Sequence, residues 1–187
     1  MKKALIILLV VVMVVTSASM VFAGRPDFAG RPANGPGQAL PPGGQSIAAI
    51  ASEAGFSELV GALVFVDKEL GTDLVGLFSE GTEQYTVFAP TNEAFFALYN
   101  ALGDEVQKIE DIDPELVLEV LLYHVAEGRR AANSVVPRVG ERSITTLLGE
   151  SFSVNTSGVI NENSQIVSAN IPASNGIIHV INEVLIP

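Results

Sequence analysis

The sequence has no cysteine and no tryptophan, and only two of its 187 residues are histidine. The lack of cysteine excludes disulfides, thiolate metal sites and cysteine nucleophiles. Two histidines are too few for a metal site built from several imidazoles, so we expect neither a metal nor a cofactor. Basic residues are also scarce, because 10 Lys and Arg stand against 21 Asp and Glu and the net charge is −11. We therefore expect no nucleic-acid partner, since phosphate contacts need clustered Lys and Arg.

The first 23 residues have the pattern of a signal peptide. The basic pair Lys2-Lys3 precedes an uninterrupted apolar run over 4–15, and Val21-Phe22-Ala23 supplies a small-x-small cleavage site before Gly24. A helix over that apolar run spans about 18 Å, short of the ~30 Å hydrocarbon core of a bilayer. We predict a cleaved signal peptide, no stable membrane span after cleavage, and a secreted, periplasmic or cell-surface location. An uncleaved N-terminal anchor is the alternative.

Residues 24–45 are dominated by glycine and proline, without helical or strand periodicity. Such a composition cannot bury enough apolar surface to offset its ordering entropy, so we predict a disordered, partly polyproline linker. The remaining residues, 46–187, are enough for one domain that buries about two-thirds of its unfolded surface without disulfides. The sequence thus predicts a signal peptide, a linker and a single domain.

The first half of this domain shows helical periodicity. Apolar residues from Leu59 to Leu70 form one stripe of a predicted helix, which we expect to be capped by Ser57 and to end at Gly71. Residues 92–102 form a second predicted helix, with Thr91 or Asn92 as its N-cap.

A third predicted helix has Asp113 as its N-cap and Pro114 as its first residue. The Asp113 side chain can accept the first N–H groups of the helix, and Pro114 has no N–H group to leave unpaired. Its surface is apolar except for Glu115 and Glu119, which predicts a buried core helix. One of its stripes ends in His124.

Strand periodicity precedes the second helix and dominates after Ile144. Residues 84–90 are rich in β-branched and aromatic residues, and residues 165–171 alternate so that Val167, Ala169 and Ile171 share one face. The run 176–187 is apolar on both faces, which is typical of a central strand. Helices followed by antiparallel strands predict an α+β domain.

Three segments resemble the signature blocks of the fasciclin-like domain family: TVFAPTNEAF at 86–95, LYHVAEG at 122–128 and NGIIHVINEVLIP at 175–187. The resemblance covers residues 46–187 and implies an antiparallel β-sandwich wedge with helices packed on it. Asn182 departs from the aspartate that the family usually carries. The structural signature positions are Thr86, Phe88, Pro90, Thr91, Phe95, His124, Asn175, Gly176, His179 and Pro187.

The resemblance implies extracellular adhesion, with an extracellular protein or glycan as the partner, and no enzymatic activity. In animal members of the family the stretch equivalent to Tyr123-His124 is implicated in integrin recognition. We therefore take Tyr123 and His124 as candidate binding residues, against the alternative that both rings only hold the fold together. Arg129 and Arg130 form the sole pair of adjacent basic residues after the predicted signal peptide and are candidates for contact with an acidic partner group.

Two other functions stay open from the residues alone. An apolar pocket between helices and sheet would suit a small-ligand or glycan carrier. The acidic stretch 104–119 could hold Ca²⁺ weakly or supply a glycosidase carboxylate pair, although a solvated helix face explains it as well. A Ser-His-Asp triad would need His124 or His179, which both lie in apolar runs typical of hydrogen-bonded core histidines.

Overall fold

The computed structural model describes residues 44–80 and 83–187. The predicted signal peptide and all but the end of the predicted linker lie outside the described residues. The helices are α1 (Ile47–Glu53), α2 (Ser57–Leu70), α3 (Leu74–Glu80), α4 (Asn92–Leu102), a 3₁₀ turn (Ile109–Asp111), α5 (Pro114–Tyr123) and α6 (Ala132–Val135). The strands are β1 (Tyr85–Pro90), β2 (Val125–Glu127), β3 (Glu141–Thr145), β4 (Ser151–Asn155), β5 (Val159–Ile160), β6 (Ser164–Ala173) and β7 (Gly176–Ile181).

The strands form one seven-stranded sheet in the order β2-β1-β7-β6-β5-β4-β3. All neighbouring strands are antiparallel except β1 and β7, which run parallel and pair in register from Tyr85 with Gly176 to Pro90 with Ile181. The predicted α+β class is confirmed. The parallel pair was not predicted, because nothing local to either strand indicates which distant strand it will join.

The sheet folds over on itself and encloses the main core. The ring centroids of Phe88 in β1 and Phe152 in β4 are 4.9 Å apart, although three strands lie between them and a flat sheet would separate them by about 19 Å. The amide of Leu147, after β3, donates to the carbonyl of Val125 in β2 at 2.7 Å, which brings the two ends of the sheet together. The enclosed side chains include Phe88, Tyr123, Ile144, Phe152, Val154, Ile160, Ile181 and Leu185.

The helices cover the other face of β1. All six residues of β1 are buried, because Phe88 points into the folded sheet while Val87 lies with Leu63 and Phe78 of the helical layer. The predicted strand 176–187 is shorter in the structure, since β7 ends at Ile181 and Ile186 is exposed. Strand β7 itself is buried in the same way along its whole length, as predicted. These two strands therefore separate two apolar layers, one between the helices and the sheet and one inside the sheet.

The helix ends follow the predicted capping residues with one exception. Thr91 Oγ1 accepts the amide of Ala94, and Asp113 Oδ1 accepts that of Glu115. Gly71 ends α2 in the left-handed region. Ser57 is the first residue of α2 and not its cap; the N-cap is Phe56, which makes no side-chain capping bond.

Strand β6 departs from the regular alternation predicted for it. Val167, Ser168 and Ala169 are all exposed, although Ser168 should lie on the face opposite to Val167 and Ala169. The pairing with β7 shifts register on both sides of Ser168, and Asn170 within the second shift has a φ of 63°. Each bulge moves the following side chains to the other face, so that simple alternation fails.

Within residues 44–80 and 83–187, the structure contains no helix with the length and apolar character that a membrane crossing requires.

Candidate binding surface

His124 is the C-cap of α5 and lies almost completely buried. Its Nδ1 is 2.7 Å from the carbonyl oxygen of Val120, so Nδ1 carries the proton and donates. Its Nε2 accepts the amide of Leu185 at 2.9 Å. The ring therefore ties the end of α5 to the segment that follows β7, and both nitrogen atoms are already used.

The environment of His124 favours the neutral ring. Burial lowers the pKa of His124 to about 4, although its bond to the Val120 carbonyl acts in the opposite direction. A proton on Nε2 would face the Leu185 amide hydrogen, and neither group could then accept. His124 is thus suited to hold structure and poorly suited to act as a base near neutral pH.

Tyr123 points to the opposite side, into the folded sheet. Its ring lies edge-on to Phe152 at 5.8 Å. Its hydroxyl accepts a hydrogen bond from Asn161 Nδ2 at 3.2 Å and lies 3.4 Å from the carbonyl of Ser151. The structure therefore places Tyr123 and His124, the two adjacent candidate binding residues, in two different cores, and neither ring is exposed.

The signature residues Thr86 and His179 form one network with the backbone of Arg130. Thr86 Oγ1 donates to the carbonyl of Gly128 at 2.7 Å and accepts the amide of Arg130 at 2.8 Å. His179 Nε2 donates to the Arg130 carbonyl at 2.8 Å, and Nδ1 faces the Asn170 amide at 3.4 Å. The ring of His179 stacks on Phe88, and burial lowers the pKa of His179 as well.

Arg129 and Arg130 follow strand β2, and their side chains take part in this framework. Arg129 Nη1 donates to the carbonyl of Ala173 at 2.8 Å and to Gln84 Oε1 at 3.2 Å. Arg130 Nε donates to the carbonyl of Glu127 at 3.1 Å. Both side chains are half-buried. The structure therefore places this basic pair at the end of β2, where it binds backbone and amide oxygens.

Asn175 and Gly176 join the sheet to the helical layer. Asn175 Oδ1 accepts the amide of Ile47 at the start of α1, and its Nδ2 donates to the carbonyl of Phe78 in α3, both at 2.9 Å. A side chain on Gly176 would overlap the carbonyl oxygen of Tyr85. Only glycine fits at that close approach of β7 to β1.

An apolar groove opens beside His124 and contains most of the remaining signature residues. It has a volume of about 310 Å³ and lies between α2, α4, the 3₁₀ turn, α5 and the segment after β7. Pro90, Phe95 and Pro187 line it. Thr91 lies next to the groove, where it caps α4 and donates its amide to the carbonyl of Ile181.

The rim of the groove is exposed and hydrophobic. Leu102 is 52% exposed, Leu116 is 55% exposed and Ile186 is 56% exposed. The lining holds only two polar side chains, Glu119 and the fully hydrogen-bonded His124. Exposed apolar surface arranged around a concavity is typical of a binding site.

An apolar pocket between helices and sheet is only an alternative from the sequence and has no residues assigned to it, although α5 carries a sign of this groove. A helix that is apolar nearly all round predicts burial on all sides, yet its first turns reach the surface at Glu115 and Leu116. Some apolar residues of α5 face the core, and others line the groove.

Two carboxylates of the acidic stretch act as local caps. Asp111 Oδ2 accepts the amides of Gln107 and Lys108, and Asp113 caps α5. Among the described residues, no group of three or more His, Asp and Glu side chains has the arrangement of a metal site. Asn182, in the place of the usual aspartate, accepts the amide of Gln165 at 2.7 Å.

Comparison with known proteins identifies similar chains. The sequence model of the fasciclin domain matches residues 54–187. Protein sll1483 of a Synechocystis strain is 38% identical over 135 residues, which are 71% of this chain and 67% of that protein. Transforming growth factor-beta-induced protein ig-h3 of Sus scrofa is 35% identical over 111 residues, 58% of this chain and 15% of that protein.

A mycobacterial protein and a solved structure are also similar to this chain. The immunogenic protein MPB70 of Mycobacterium bovis is 34% identical over 117 residues, 62% of this chain and 55% of that protein. A solved FAS1 domain pair of the insect cell adhesion molecule Fasciclin I is similar over 72% of this chain and 45% of that one, at 15% identity and a TM-score of 0.43. The chain thus spans about two-thirds of the Synechocystis protein and less of the others.

Proposed function

Because the chain belongs to the fasciclin domain family, we propose that it is a non-enzymatic recognition module that binds an extracellular protein or glycan. The proposal is supported by the contrast between the polar signature residues and the groove. The polar signature side chains are hydrogen bonded inside the domain, whereas exposed apolar residues surround an open groove. Groups already paired inside the fold are poor contacts for a partner, while an exposed apolar groove is a common binding feature.

The proposal includes a place for the protein outside the cytoplasm. The pattern of residues 1–23 supports export. If those residues instead remain as the alternative anchor, the glycine- and proline-rich segment 24–45 would hold the domain at a distance from the membrane. An acidic domain on such a tether suits adhesion better than catalysis in solution.

Within this proposal Tyr123 and His124 have an architectural role. Their burial supports this role, as do their bonds to Asn161, Val120 and Leu185. Arg129 and Arg130 would contribute to binding only where their half-buried side chains reach the surface beside the end of β2.

Capture of native material tests the recognition function. The full chain is expressed, purified after export and immobilised, and envelope or matrix material of the source organism is passed over it. We expect specific retention of a component that heat-unfolded protein does not retain. Prior protease or periodate treatment of the material tells a protein partner from a glycan. Absence of specific retention across envelope, matrix and culture fluid would contradict the proposal.

A small-ligand carrier is the second candidate, and the groove is the observation that favours it. Its volume of about 310 Å³ is at the lower end of the range for small-molecule pockets, about 300–1,000 Å³. Native mass spectrometry of the exported protein tests this function. A carrier is expected to retain a bound compound that is released on denaturation, whereas a single unliganded mass would argue against it.

A further inference from the structure

We infer that the groove between α2, α4, α5 and the segment after β7 binds a cationic amphipathic segment of a protein partner, with its apolar face inward and its Lys and Arg side chains on the rim. This inference rests on the proposed recognition function and specifies its surface and partner chemistry. Both the lining of the groove and the charge around it support this occupant.

The lining selects an apolar contact. Buried Leu59, Phe95 and Val117 form the deeper part, and Leu102, Leu116 and Ile186 form the exposed rim. The nitrogen atoms of His124 are occupied by Val120 and Leu185. A glycan would therefore leave its hydroxyl groups without side-chain partners here, except at Glu119, and burial of unpaired polar groups is costly.

The charge around the groove selects a cation. Glu119 lines it, and Glu115 lies one turn earlier on α5, next to Leu116. Neither carboxylate has a hydrogen bond or ion pair within the described part of the chain. Lys108 is the one basic residue between Lys68 and Arg129 in the sequence.

The two properties together favour one class of partner. Fatty acids and anionic lipids carry the wrong charge for Glu115 and Glu119. An amphipathic helix with leucine-type anchors and a basic polar face matches both the floor and the rim, in the manner of other helix-in-groove complexes. The net charge of −11 would also speed the approach of such a segment at low ionic strength.

Binding of two matched peptides tests the inference. Both are helices of about 14 residues, or roughly four turns, with the same leucine face; one carries lysine and the other glutamate at the polar positions. Fluorescence anisotropy measures binding to the full chain. We expect the lysine peptide to bind at least about 10-fold more tightly, a difference of about 1.4 kcal/mol. Equal binding, or tighter binding of the glutamate peptide, would overturn the inference.

Surface variants locate the binding. The double variant Leu102→Ser/Leu116→Ser removes the rim and is expected to weaken binding of the lysine peptide by about 10-fold or more. The matched control is Val167→Ser, because Val167 is also 55% exposed but lies on β6. The control should bind like wild type, and the melting temperature of each variant shows that it is folded. Equal losses in both variants would place the peptide elsewhere.

Charge variants and salt test the acidic rim. Glu115→Gln/Glu119→Gln should weaken binding of the lysine peptide by about 3- to 10-fold at low salt, and this difference should vanish in 1 M NaCl, where the Debye length is about 3 Å. The matched control, Glu141→Gln/Glu162→Gln, removes one carboxylate from β3 and one from the turn between β5 and β6, and should have little effect. Equal effects of the two pairs would mean that only net charge matters and would contradict the inference.

The capture experiment separates failure of this inference from failure of the proposed function. If Leu102→Ser/Leu116→Ser still retains the native partner as wild type does, recognition stands and the groove is the wrong surface. If wild type retains nothing while the lysine peptide binds at the groove, the recognition function fails and the groove chemistry stands.

Discussion

At the scale of single residues, the two histidines act as neutral connectors between distant segments. His124 joins α5 to the segment that follows β7, and His179 joins β7 to the backbone beyond β2. In each ring one nitrogen donates and the other faces an amide hydrogen, so that a second proton would break one of the two bonds. The stability of the domain should therefore depend on pH.

The expected direction follows from the lowered pKa values. The pKa of His124 falls from 6.5 to about 4, and that of His179 is also lowered. Between these values the unfolded chain binds more protons, so the stabilisation is complete above about pH 6.5 and is lost as the pH falls, by at most about 1.4 kcal/mol per pH unit for each histidine.

Urea unfolding at pH 7.5, 7, 6 and 5 measures this dependence. The free energy of unfolding should decrease below pH 6.5 and change little between pH 7 and 7.5. The variant His124→Gln, which cannot titrate, should show a shallower decrease. The same slope in both proteins would show that His124 does not contribute.

Removal of the His124 ring tests its structural role. In His124→Ala the amide of Leu185 loses its acceptor, the carbonyl of Val120 keeps only its backbone donor and a buried ring is lost, at a cost of about 2–4 kcal/mol. Val167→Ala, at an exposed position, should change stability by less than about 0.5 kcal/mol. Chemical denaturation followed by circular dichroism measures both, and wild-type stability in His124→Ala would contradict the account.

Burial of His124 and His179 could be expected from sequence, because both lie in apolar runs. Their partners could not, since Leu185 is 61 positions from His124 and Arg130 is 49 positions from His179. The position of Tyr123 shows the same limit. Its neighbour His124 faces the groove, yet Tyr123 faces Phe152, because a helix turns about 100° per residue.

At the scale of secondary-structure elements, the parallel pair of β1 and β7 forms the wall that both apolar layers pack against. It depends on Gly176, where the backbone of Tyr85 passes too close for any side chain. Asn175 then fixes α1 and α3 to the same turn. One short segment thus sets how the helices sit on the sheet.

A pair of glycine variants tests the close approach of β1 and β7. Gly176→Ala should destabilise the domain by more than about 3 kcal/mol, because β1 and β7 must separate to admit the methyl group. Gly61→Ala is the matched control, since its methyl group would meet nothing within 4 Å, and in the middle of α2 it should stabilise by up to about 1 kcal/mol. Similar effects of the two variants would contradict the close approach.

Elements with complete local patterns were predicted well, and those that depend on distant residues were not. Helix α5 carries its cap, its first-turn proline and its apolar stripe in consecutive residues. Helix α3 is different, because Asp67, seven and eight positions earlier, accepts the amides of Leu74 and Val75. Strand β6 was predicted with regular alternation, which fails because its bulges are set by its pairing with β7.

At the scale of the whole molecule, charge is unevenly distributed along the chain. All four arginines of residues 46–187 lie between Arg129 and Arg142, whereas acidic residues dominate the helical half. The predicted fasciclin family is confirmed over 54–187. The groove could not be located from the sequence, because it is assembled from five separate segments whose contact is decided by the fold.

Export is a prediction for the whole chain. If residues 1–23 act as a signal peptide, the mature protein should begin at Gly24. N-terminal sequencing of the protein recovered outside the cytoplasm measures this directly. Retention of Met1 in a membrane fraction would instead support an uncleaved anchor.

The central claim is that the buried, hydrogen-bonded polar side chains, Tyr123 and His124 among them, hold the domain together and that recognition occurs at the apolar groove. The most direct test compares capture of the native partner by Tyr123→Phe and by Leu102→Ser/Leu116→Ser, with the melting temperature of each variant measured in parallel. Tyr123→Phe removes only a hydroxyl group inside the sheet, so it should retain the partner, whereas the groove variant should lose it at an unchanged melting temperature. Loss of the partner in Tyr123→Phe without loss of stability, together with full retention by the groove variant, would contradict the claim.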